Sequence, residues 1–496
     1  MEEFDIVVLG GGSGSQVATA AADDGLEAAV LEPGPLGGAC ITRGCVPSKA
    51  LLHRADVCEE IRRAERFGVD AEIRDLDFDA ITDAVHDTVY EKADRQHESL
   101  EANENVTLYE AAGRFVDDQT IALGDGDGGE FHGDTDRIRG EVVVIAVGSR
   151  PVAPPIDGLE DVAYRTSDTA LYLDEQPDDL VIVGGGYIAA ELGYFFSAIG
   201  TDVSIVGRSE TLVKREDDAV SDAVTESLAE RCDVYTGFEA SSVAERDGSI
   251  AVEIERSDGN GNEDGDEDEN NDPSTLEADE LLVATGRTPN TDDLGLENAG
   301  VETDEAGHVD VDEFLKTSAE NVWALGDVIG DQPFKHVADY EARCVTVNVL
   351  EETQQTVDYE AMPHAIFTSP QVASVGRTES ELVEADIHYD AATVGYDAAP
   401  MGLILDAKDA FVKVLAASDE DGDREGEILG CHIVGPQAST MIHEVVLAMQ
   451  RCSGTVDDVA DTVHVHPALN EAVLAAFDEV SDRSYSTAPD WRDVGE

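Results

Sequence analysis

The sequence predicts an α/β protein with two doubly wound units, followed by a C-terminal α+β unit that contains an antiparallel sheet. An apolar strand, a glycine-rich turn, a helix and a second strand follow one another at 4–32 and again at 180–206. Past Pro363, short alternating segments replace this pattern and favour antiparallel strands. A chain of 496 residues with a 42% hydrophobic fraction is long enough for several such cores.

The charge balance is extreme and limits the partners that the protein can bind. The chain has 109 acidic and 31 basic residues, a net charge of −78 that is spread along its whole length. Such a surface repels nucleic acid and anionic membranes. It indicates a halophilic protein, because a Debye length of about 3 Å at 1 M salt screens the self-repulsion. We find no basic leader before the first strand and no apolar run of about 18 residues, and we expect a cytoplasmic location.

The first glycine-rich turn carries Gly10, Gly12 and Gly14, and Glu32 follows the second strand. This order is the dinucleotide fingerprint of a Rossmann-like domain. Gly10 permits the tight turn, and Gly12 lets a pyrophosphate approach the helix N-terminus. Glu32 is expected to hydrogen-bond an adenosine ribose. Ser15 replaces the third glycine of the pattern, which predicts slightly looser packing between helix and strand.

The second turn, with Gly184 and Gly186, repeats the fingerprint. Two such folds in one chain predict two nucleotides and therefore two redox carriers. Gly207 stands where an acid selective for NAD is expected, and Arg208 and Lys214 follow it. Basic groups there accommodate the 2′-phosphate of NADPH, although solvated loop charges are the alternative reading and NADH the alternative nucleotide.

A close cysteine pair, Cys40 and Cys45, follows the first fingerprint with four residues between its members. In a reducing compartment such a pair is catalytic or metal-binding. With no second pair nearby a closed zinc site is disfavoured, and we predict no metal site. A dithiol beside a bound nucleotide can instead hold two electrons.

Several further motifs occur in a fixed order and carry a resemblance. They are Gly-Gly-x-Cys-x4-Cys-x-Pro-Ser-Lys at 37–49, Ala-Thr-Gly-Arg-x-Pro-Asn at 284–290, Ala-Leu-Gly-Asp at 324–327 and His-Val-His-Pro-x3-Glu at 464–471. Over residues 4–478 the chain resembles the FAD-dependent pyridine nucleotide–disulfide oxidoreductases, which include glutathione reductase, dihydrolipoamide dehydrogenase, mercuric reductase and mycothione reductase. Stretches at 166–169, 336–343 and 367–370 are most similar to mycothione reductase.

The resemblance implies a role for each matching residue. FAD would be bound through Gly10, Gly12, Gly14, Glu32 and Asp327, and the nicotinamide nucleotide through Gly184, Gly186, Arg208 and Lys214. Gly148 and Gly286, each at the end of a buried strand, complete the expected cofactor-binding set. Tyr187 would cover the flavin until the nicotinamide displaces it, and Lys49 and Glu191 would form an ion pair beside the flavin.

The same resemblance assigns unequal roles to the two cysteines. Cys45 would lie against the flavin as a thiolate, and Cys40 would attack the substrate. His466, paired with Glu471, would be the general base and would reach the dithiol of a partner subunit, so a homodimer with shared active sites is expected. A base of pKa about 6.5 suits this position, because only a thiolate attacks a disulfide.

The predicted domain boundaries follow the changes of pattern. An FAD-binding domain is expected at 1–155 and 287–355, an NAD(P)-binding domain at 156–286, a dimerisation domain at 356–480, and a frayed tail at 481–496. Acidic, glycine-rich stretches at 125–136, 257–275 and 419–427 are interpreted as loops or insertions.

The leading functional hypothesis is an NADPH-dependent reductase of a low-molecular-weight disulfide that acts in cell redox homeostasis. By analogy at the level of the fold, bis-γ-glutamylcystine is a candidate substrate in a halophile. The alternative is dihydrolipoamide dehydrogenase, with NAD as electron acceptor. Mercuric reductase fits less well, because the tail at 481–496 lacks a vicinal cysteine pair. A non-catalytic flavoprotein is disfavoured by the complete set of Cys40, Cys45, His466 and Glu471.

Overall fold

The computed structural model describes residues 1–124, 136–257, 274–351, 353–418, 424 and 426–481. The expected loop at 125–136, apart from its last residue, and the core of the insertion at 257–275 lie outside the described residues. So do most of the loop at 419–427 and the tail beyond Ser481.

The structure contains strands in both of the predicted patterns. They are β1 Glu2–Leu9, β2 Ala28–Leu31, β3 Val106–Tyr109, β4 Gly113–Phe115, β5 Thr120–Leu123, β6 Arg137–Ile145, β7 Ser149–Pro151, β8 Asp179–Val183, β9 Asp202–Gly207, β10 Asp233–Thr236, β11 Phe238–Arg246, β12 Ser249–Arg256, β13 Thr275–Ala278, β14 Glu280–Val283, β15 Arg287–Pro289, β16 Val322–Ala324, β17 His364–Ile366, β18 Val372–Gly376, β19 Tyr389–Gly395, β20 Phe411–Ala417 and β21 Ile428–Val434.

Helices connect and cover these strands. They are α1 Ser15–Asp23, α2 Gly38–Thr42, α3 Cys45–Arg63, α4 Phe78–Glu101, α5 Ser167–Ala170, α6 Tyr187–Ile199, α7 Asp218–Ala229, α8 Leu296–Ala299, α9 Lys335–Leu350, α10 Glu379–Glu384, α11 Pro400–Ile404, α12 Ala438–Arg451, α13 Val456–Ala460 and α14 Asn470–Val480. Short 3₁₀ turns occur at Ala64–Phe67, Leu159–Asp161, Gly326–Val328 and Tyr396–Ala398.

The first sheet has the order β3-β2-β1-β6-β5-β4, and β16 also pairs with β6. The pairs among β3, β2, β1, β6 and β16 are parallel, whereas β4, β5 and β6 pair antiparallel. The chain therefore returns to the first sheet through β16 after it has built the second. The carboxyl ends of the parallel strands form one edge, where ligands bind in doubly wound folds.

The second sheet repeats the parallel arrangement in the order β10-β9-β8-β14 and lies beside an antiparallel sheet of β11, β12 and β13. Strands β7 and β15 pair where the chain enters and leaves this part of the molecule. The third large sheet is antiparallel throughout, in the order β17-β18-β21-β20-β19. The predicted fold class is confirmed.

One apolar core joins all three parts. Leu51 of α3 and Val89 of α4 pack in the same buried cluster as Phe195 of α6 and Val372 of β18. The helix that begins at Cys45 is thus fixed against both the second sheet and the C-terminal sheet. This packing allows residues more than a hundred positions apart to build one site.

Some predicted boundaries are wrong. The apolar pattern of the sequence predicts a helix at 51–67, but the helix begins at Cys45 and ends at Arg63, because Pro47 sits in its first turn, where a missing N–H costs nothing. The sequence also predicts one strand at 106–114, where the structure has two strands, β3 and β4. The looser packing expected at Ser15 is absent: Ser15 is 4% exposed, and the closest approach falls at Gly14, where a Cβ would overlap the side chains of Ala146 and Val8.

Candidate active site

The two glycine-rich turns are built in the same way, bond for bond. Gly10 N–H donates to the carbonyl of Leu31 at 2.9 Å, and Gly184 N–H donates to that of Val206 at 2.8 Å. Both glycines have positive φ, 111° and 139°. A Cβ on either would overlap a carbonyl oxygen of the neighbouring strand, that of Ala146 or of Ala284 respectively. Only glycine fits these two positions.

A cavity of about 650 Å³ opens at the carboxyl edge of the first sheet and extends to the start of α6. Ten of the predicted site residues line it: Gly10, Gly12, Glu32, Cys40, Cys45, Lys49, Gly148, Tyr187, Glu191 and Asp327. The remaining predicted residues lie elsewhere. Gly14 is under the first turn. The second sheet and its connections contain Gly184, Gly186, Gly286, Arg208 and Lys214. The C-terminal part contains His466 and Glu471.

The cavity fits a flavin dinucleotide. Its volume is in the range of cofactor pockets, and the wall at Gly12 is free of side chains, since the nearest atom to a Cβ there would be the Cα of Gly38 at 3.7 Å. Glu32 is held at the far end by N–H donors of Gly11 at 2.8 Å and Gly34 at 3.1 Å. A carboxylate fixed in this way is preorganised to accept from a ribose hydroxyl.

The dithiol stands at the junction of two helices. Cys40 is in α2, and Cys45 is the first residue of α3, exposed on the cavity wall. The two thiols hydrogen-bond each other. A helix start favours a thiolate, because unpaired N–H groups point at the sulfur.

The two sulfur atoms ionise very differently. The hydrogen bond from Cys40, assisted by the Lys49 ammonium, lowers the pKa of Cys45 to about 7 even though burial opposes the charge. The hydrogen bond to Cys45, together with burial, raises the pKa of Cys40 well above its ordinary value. About half of the Cys45 thiols are therefore ionised at pH 7, whereas Cys40 needs a base to remove its proton.

We expect one thiolate to form in the reduced protein with a midpoint near pH 7, because the pKa of Cys45 is about 7. The depressed pKa means that the charge is present above this pH and lost below it. Ultraviolet absorbance of the thiolate, followed from about pH 5 to 9, measures the midpoint. Cys45→Ser should abolish the transition, Lys49→Met should move it to higher pH, and Cys452→Ser, at an exposed cysteine remote in sequence, should leave it unchanged. A wild-type protein without thiolate below pH 8 would contradict the assignment.

An ion pair closes the cavity beside the dithiol. Lys49 Nζ lies 2.7 Å from Glu191 Oε2, and Glu191 is only 3% exposed. The other carboxylate oxygen of Glu191 accepts from the Phe367 N–H at 3.0 Å, and the Lys49 ammonium lies 4.9 Å from the centre of the Phe367 ring. The ammonium of Lys49, in the first part of the fold, is thus held by Glu191 of the second part and Phe367 of the third.

Tyr187 is the first residue of α6 and faces the same cavity. Burial, with the nearby Glu191 carboxylate, raises the pKa of Tyr187 to about 12, so the phenol is neutral. Its ring centre is 6.2 Å from that of Phe334. The ring stands between the cavity and the second glycine-rich turn, where a movable cover is expected.

A chain of polar contacts that the sequence does not reveal runs along the cavity wall. Ser149 Oγ donates to Asp327 at 2.6 Å and accepts from Arg287 Nε at 2.8 Å. Arg287 also lies 3.4 Å from Asp168, which pairs with Arg43 at 3.3 Å. The chain links the aspartate expected at the cofactor to the loop between the two cysteines. The arginine at 287 and the aspartate at 168 stand in recognised motifs, but their contacts depend on tertiary structure.

The predicted base is absent from the walls of the cavity that contains the dithiol of its own chain. His466 Nδ1 is 2.9 Å from Glu471 Oε1, and the histidine side chain is 69% exposed. The neighbouring His464 is buried against Glu444 at 2.9 Å, which raises its pKa and makes it a structural residue. His466 does not line the cavity, and Val463 and Val465 beside it are 95% and 75% exposed.

Exposed cations follow strand β9, next to the second glycine-rich turn. Around Gly186 no atom lies within 4 Å of a Cβ position, so a phosphate can approach the backbone. Arg208, Lys214 and Arg215 are exposed, and none of them forms an ion pair with any residue in the described part of the chain. What sets these three cations apart is their position, since all of them follow the second strand of the second fingerprint within eight residues.

In the described ranges no group of three or more His, Cys, Asp or Glu side chains is arranged to hold a metal ion. Likewise, none of the helices described above combines the length and the apolar composition that a membrane crossing needs.

Comparison with known proteins identifies the family. The pyridine nucleotide-disulphide oxidoreductase family matches residues 4–356, and its dimerisation domain matches residues 362–477, which indicates a homodimer. The chain is 33% identical over 489 residues to dihydrolipoyl dehydrogenase 3 of Haloarcula marismortui, covering 97% of each protein. It is 34% identical over 486 residues to mycothione reductase of Mycobacterium tuberculosis, covering 96% of this chain and 99% of that protein.

A solved structure shows the same fold. The HOCl-induced flavoprotein disulfide reductase RclA from Escherichia coli, in its Cu(II) complex, superposes with a TM-score of 0.83 at 24% identity, covering 97% of this chain and all of that one. The chain described here belongs to the FAD-dependent pyridine nucleotide-disulphide oxidoreductases.

Proposed function

We propose that the protein is an NADPH-dependent reductase of a low-molecular-weight disulfide. The observation that carries the nucleotide choice is the group of exposed cations Arg208, Lys214 and Arg215 after the second strand of the second fingerprint. An arginine or lysine at this point accommodates the 2′-phosphate that distinguishes NADPH from NADH. Arginine recognises phosphate through two parallel hydrogen bonds, and lysine through a point charge.

The repeated turn supports this choice. Because Leu31 and Val206 accept equivalent hydrogen bonds, Glu32 of the first fold corresponds to Gly207 of the second. A Cβ at Gly207 would meet its nearest atoms at 3.4 Å and 3.5 Å, which is ordinary contact. Packing therefore does not exclude an acid at 207, and its absence agrees with a binding site for a 2′-phosphate.

The chemistry at the dithiol follows from the two pKa values. Bound FAD supplies the route by which two electrons from the nicotinamide reduce the Cys40–Cys45 disulfide. His466 of a second copy removes the proton of Cys40, and the resulting thiolate attacks the substrate disulfide. One half of the substrate leaves as a thiol, protonated by the imidazolium, and the other half stays bound to Cys40.

The second half of the reaction uses Cys45. Its thiolate attacks the Cys40 sulfur, which breaks the mixed disulfide and restores the Cys40–Cys45 disulfide. The second half of the substrate leaves as a thiolate and takes up a proton from solvent. The substrate has gained two electrons and the dithiol has lost two, so the cycle is balanced. Glu471 holds the imidazole through Nδ1 and leaves Nε2 to handle the proton.

The relatives point to two substrate classes. One relative of similar identity is named mycothione reductase, and another is named dihydrolipoyl dehydrogenase. We favour reduction of a small disulfide, with bis-γ-glutamylcystine as the candidate, because Gly207 and the cations disfavour NAD. Oxidation of dihydrolipoyl groups with NAD is the second candidate, supported by the relative from Haloarcula marismortui.

Steady-state assays at molar salt test the proposal. The wild-type protein should reduce bis-γ-glutamylcystine with NADPH much faster than it oxidises dihydrolipoamide with NAD. The double variant Arg208→Ala/Lys214→Ala should have a kcat/KM for NADPH that is lower by about 10- to 100-fold, because a charge-assisted hydrogen bond contributes about 1.5–3 kcal/mol. Its kcat/KM for NADH should be nearly unchanged.

The matched control removes two exposed cations elsewhere, Arg74 and Lys408, whose side chains are 84% and 77% exposed. This control variant has the same net charge as the test variant, and we expect its nucleotide preference to equal that of the wild type. A wild-type enzyme that prefers NADH would overturn the nucleotide assignment, and one that prefers dihydrolipoamide with NAD would favour the second candidate.

A further inference from the structure

The loop at 208–217 joins β9 to α7 and carries the exposed cations Arg208, Lys214 and Arg215. Its middle is strained: Val213 has a φ of 48°, which is rare for a β-branched residue. The Val213 N–H donates to the carbonyl of Gly185 at 2.7 Å, so the loop is tied directly to the second glycine-rich turn. A strained residue of this kind persists only when its surroundings fix it.

The C-terminal end of the loop is bound to another part of the protein. Asp217, fully buried, caps α7 and lies 2.7 Å from the ammonium of Lys413 on β20. Its other oxygen accepts from the N–H of Glu379 at 3.1 Å, and the Glu379 carboxylate pairs with the same ammonium. Burial disfavours a charged Asp217, but Lys413 and the Glu379 N–H outweigh it and keep the pKa of Asp217 below its ordinary value.

Glu216, the residue before, makes a second attachment. Its carboxylate is 2.7 Å from His364 Nε2 and accepts from Ser374 Oγ at 2.9 Å. Both partners belong to the antiparallel C-terminal sheet. We call the five side chains Glu216, Asp217, His364, Glu379 and Lys413 the loop clamp. The clamp begins directly after Lys214 and Arg215, so it fixes the direction in which these cations leave the backbone.

We propose that the loop clamp positions the phosphate-selecting cations, so that the C-terminal domain determines the nucleotide preference of the second fold. The inference rests on the proposed function, because it assumes that Lys214 and its neighbours bind the 2′-phosphate. The clamp residues do not touch the nucleotide and act through the loop. Their loss should therefore weaken recognition of the 2′-phosphate and leave recognition of the adenosine and of its 5′-phosphate unchanged.

Binding of two nucleotide fragments to the FAD-loaded protein at molar salt tests this inference. The probes are 2′,5′-ADP, which carries the 2′-phosphate, and 5′-AMP, which lacks it, and calorimetry gives both dissociation constants. Glu216→Gln and Lys413→Met should each raise the dissociation constant of 2′,5′-ADP by about 3- to 30-fold and leave that of 5′-AMP within twofold. Lys413→Met removes the cationic partner of buried carboxylates and can prevent folding. In that case Glu216→Gln, which keeps the shape of the side chain, serves as the test.

The matched control is Ser227→Ala. Ser227 Oγ, on α7, donates to the carbonyl of Ser369 at 2.8 Å, so it also links the second fold to the C-terminal part but does not touch the loop. This variant should leave both constants unchanged. Equal weakening of both probes, or no weakening of either, would overturn the positioning role. If the wild-type protein binds the two probes equally well, the NADPH assignment itself fails, and the inference fails with it.

Discussion

Replacing Cys40 with serine is expected to lower the rate of disulfide reduction by at least about 10³-fold, as loss of a catalytic nucleophile does in other enzymes. The serine hydroxyl can still donate to Cys45, but it cannot form the mixed disulfide that the exchange requires. The fold and the cavity should survive, because Cys40 is only half-buried in the short helix α2.

Turnover of the small disulfide with NADPH at molar salt measures the effect. Oxidation of NADPH by an acceptor that takes electrons without the dithiol should persist and shows that the site is otherwise intact. Cys452→Ser is the control, since Cys452 is exposed and lies outside the site. A Cys40→Ser protein that still reduced the disulfide at the wild-type rate would refute the exchange mechanism.

Replacing His466 with glutamine is expected to cost about 10²- to 10⁴-fold in the same assay, which is the usual contribution of a general acid–base group. The strongly raised pKa of Cys40 is the physical reason, because without a base little of the attacking thiolate forms. The loss should shrink as the pH rises, since hydroxide then replaces the base. His464→Gln is the comparison: it tests a histidine that is buried against Glu444 and takes no part in the exchange.

Hybrid dimers decide whether the base comes from the partner. In a mixture of equal amounts of Cys40→Ser and His466→Gln protomers, half of the dimers combine the two variants. If the site is shared, each hybrid has one complete site, and activity should recover to about one quarter of the wild-type value. If Cys40 and His466 of the same chain work together, the mixture should stay as inactive as its components.

The parts of the fold that can be predicted from the sequence are those that depend on local pattern. The glycine spacing of the two fingerprints, the cysteine pair and the alternation past Pro363 depend on backbone geometry within a few residues, and the structure contains each of them. The pairing of Lys49 with Glu191 follows only from family resemblance, since 142 positions separate the two residues.

Other parts of the site depend on long-range packing and leave no local signal. Lys413 reads as an ordinary strand residue, and its burial against Asp217, 196 positions away, follows only from how β20 meets α7. The chain of contacts from Asp327 to Arg43 is equally invisible, because each member has its partner on another element. The start of α3 at Cys45 is hard to predict for a related reason, because the residues of the cysteine motif show no apolar period although they begin a helix.

The two glycine-rich turns separate the residues that fix the backbone from the residues that can contact the nucleotide. The positions that maintain each turn, Gly10 and Gly184, are locked by a neighbouring carbonyl and cannot vary. The equivalent positions Glu32 and Gly207 come directly after the second strand of each fold, and a Cβ at Gly207 would make ordinary contacts. Two turns with the same backbone can therefore serve different ligands. A change of nucleotide preference needs substitutions after one strand and no change in the turn itself.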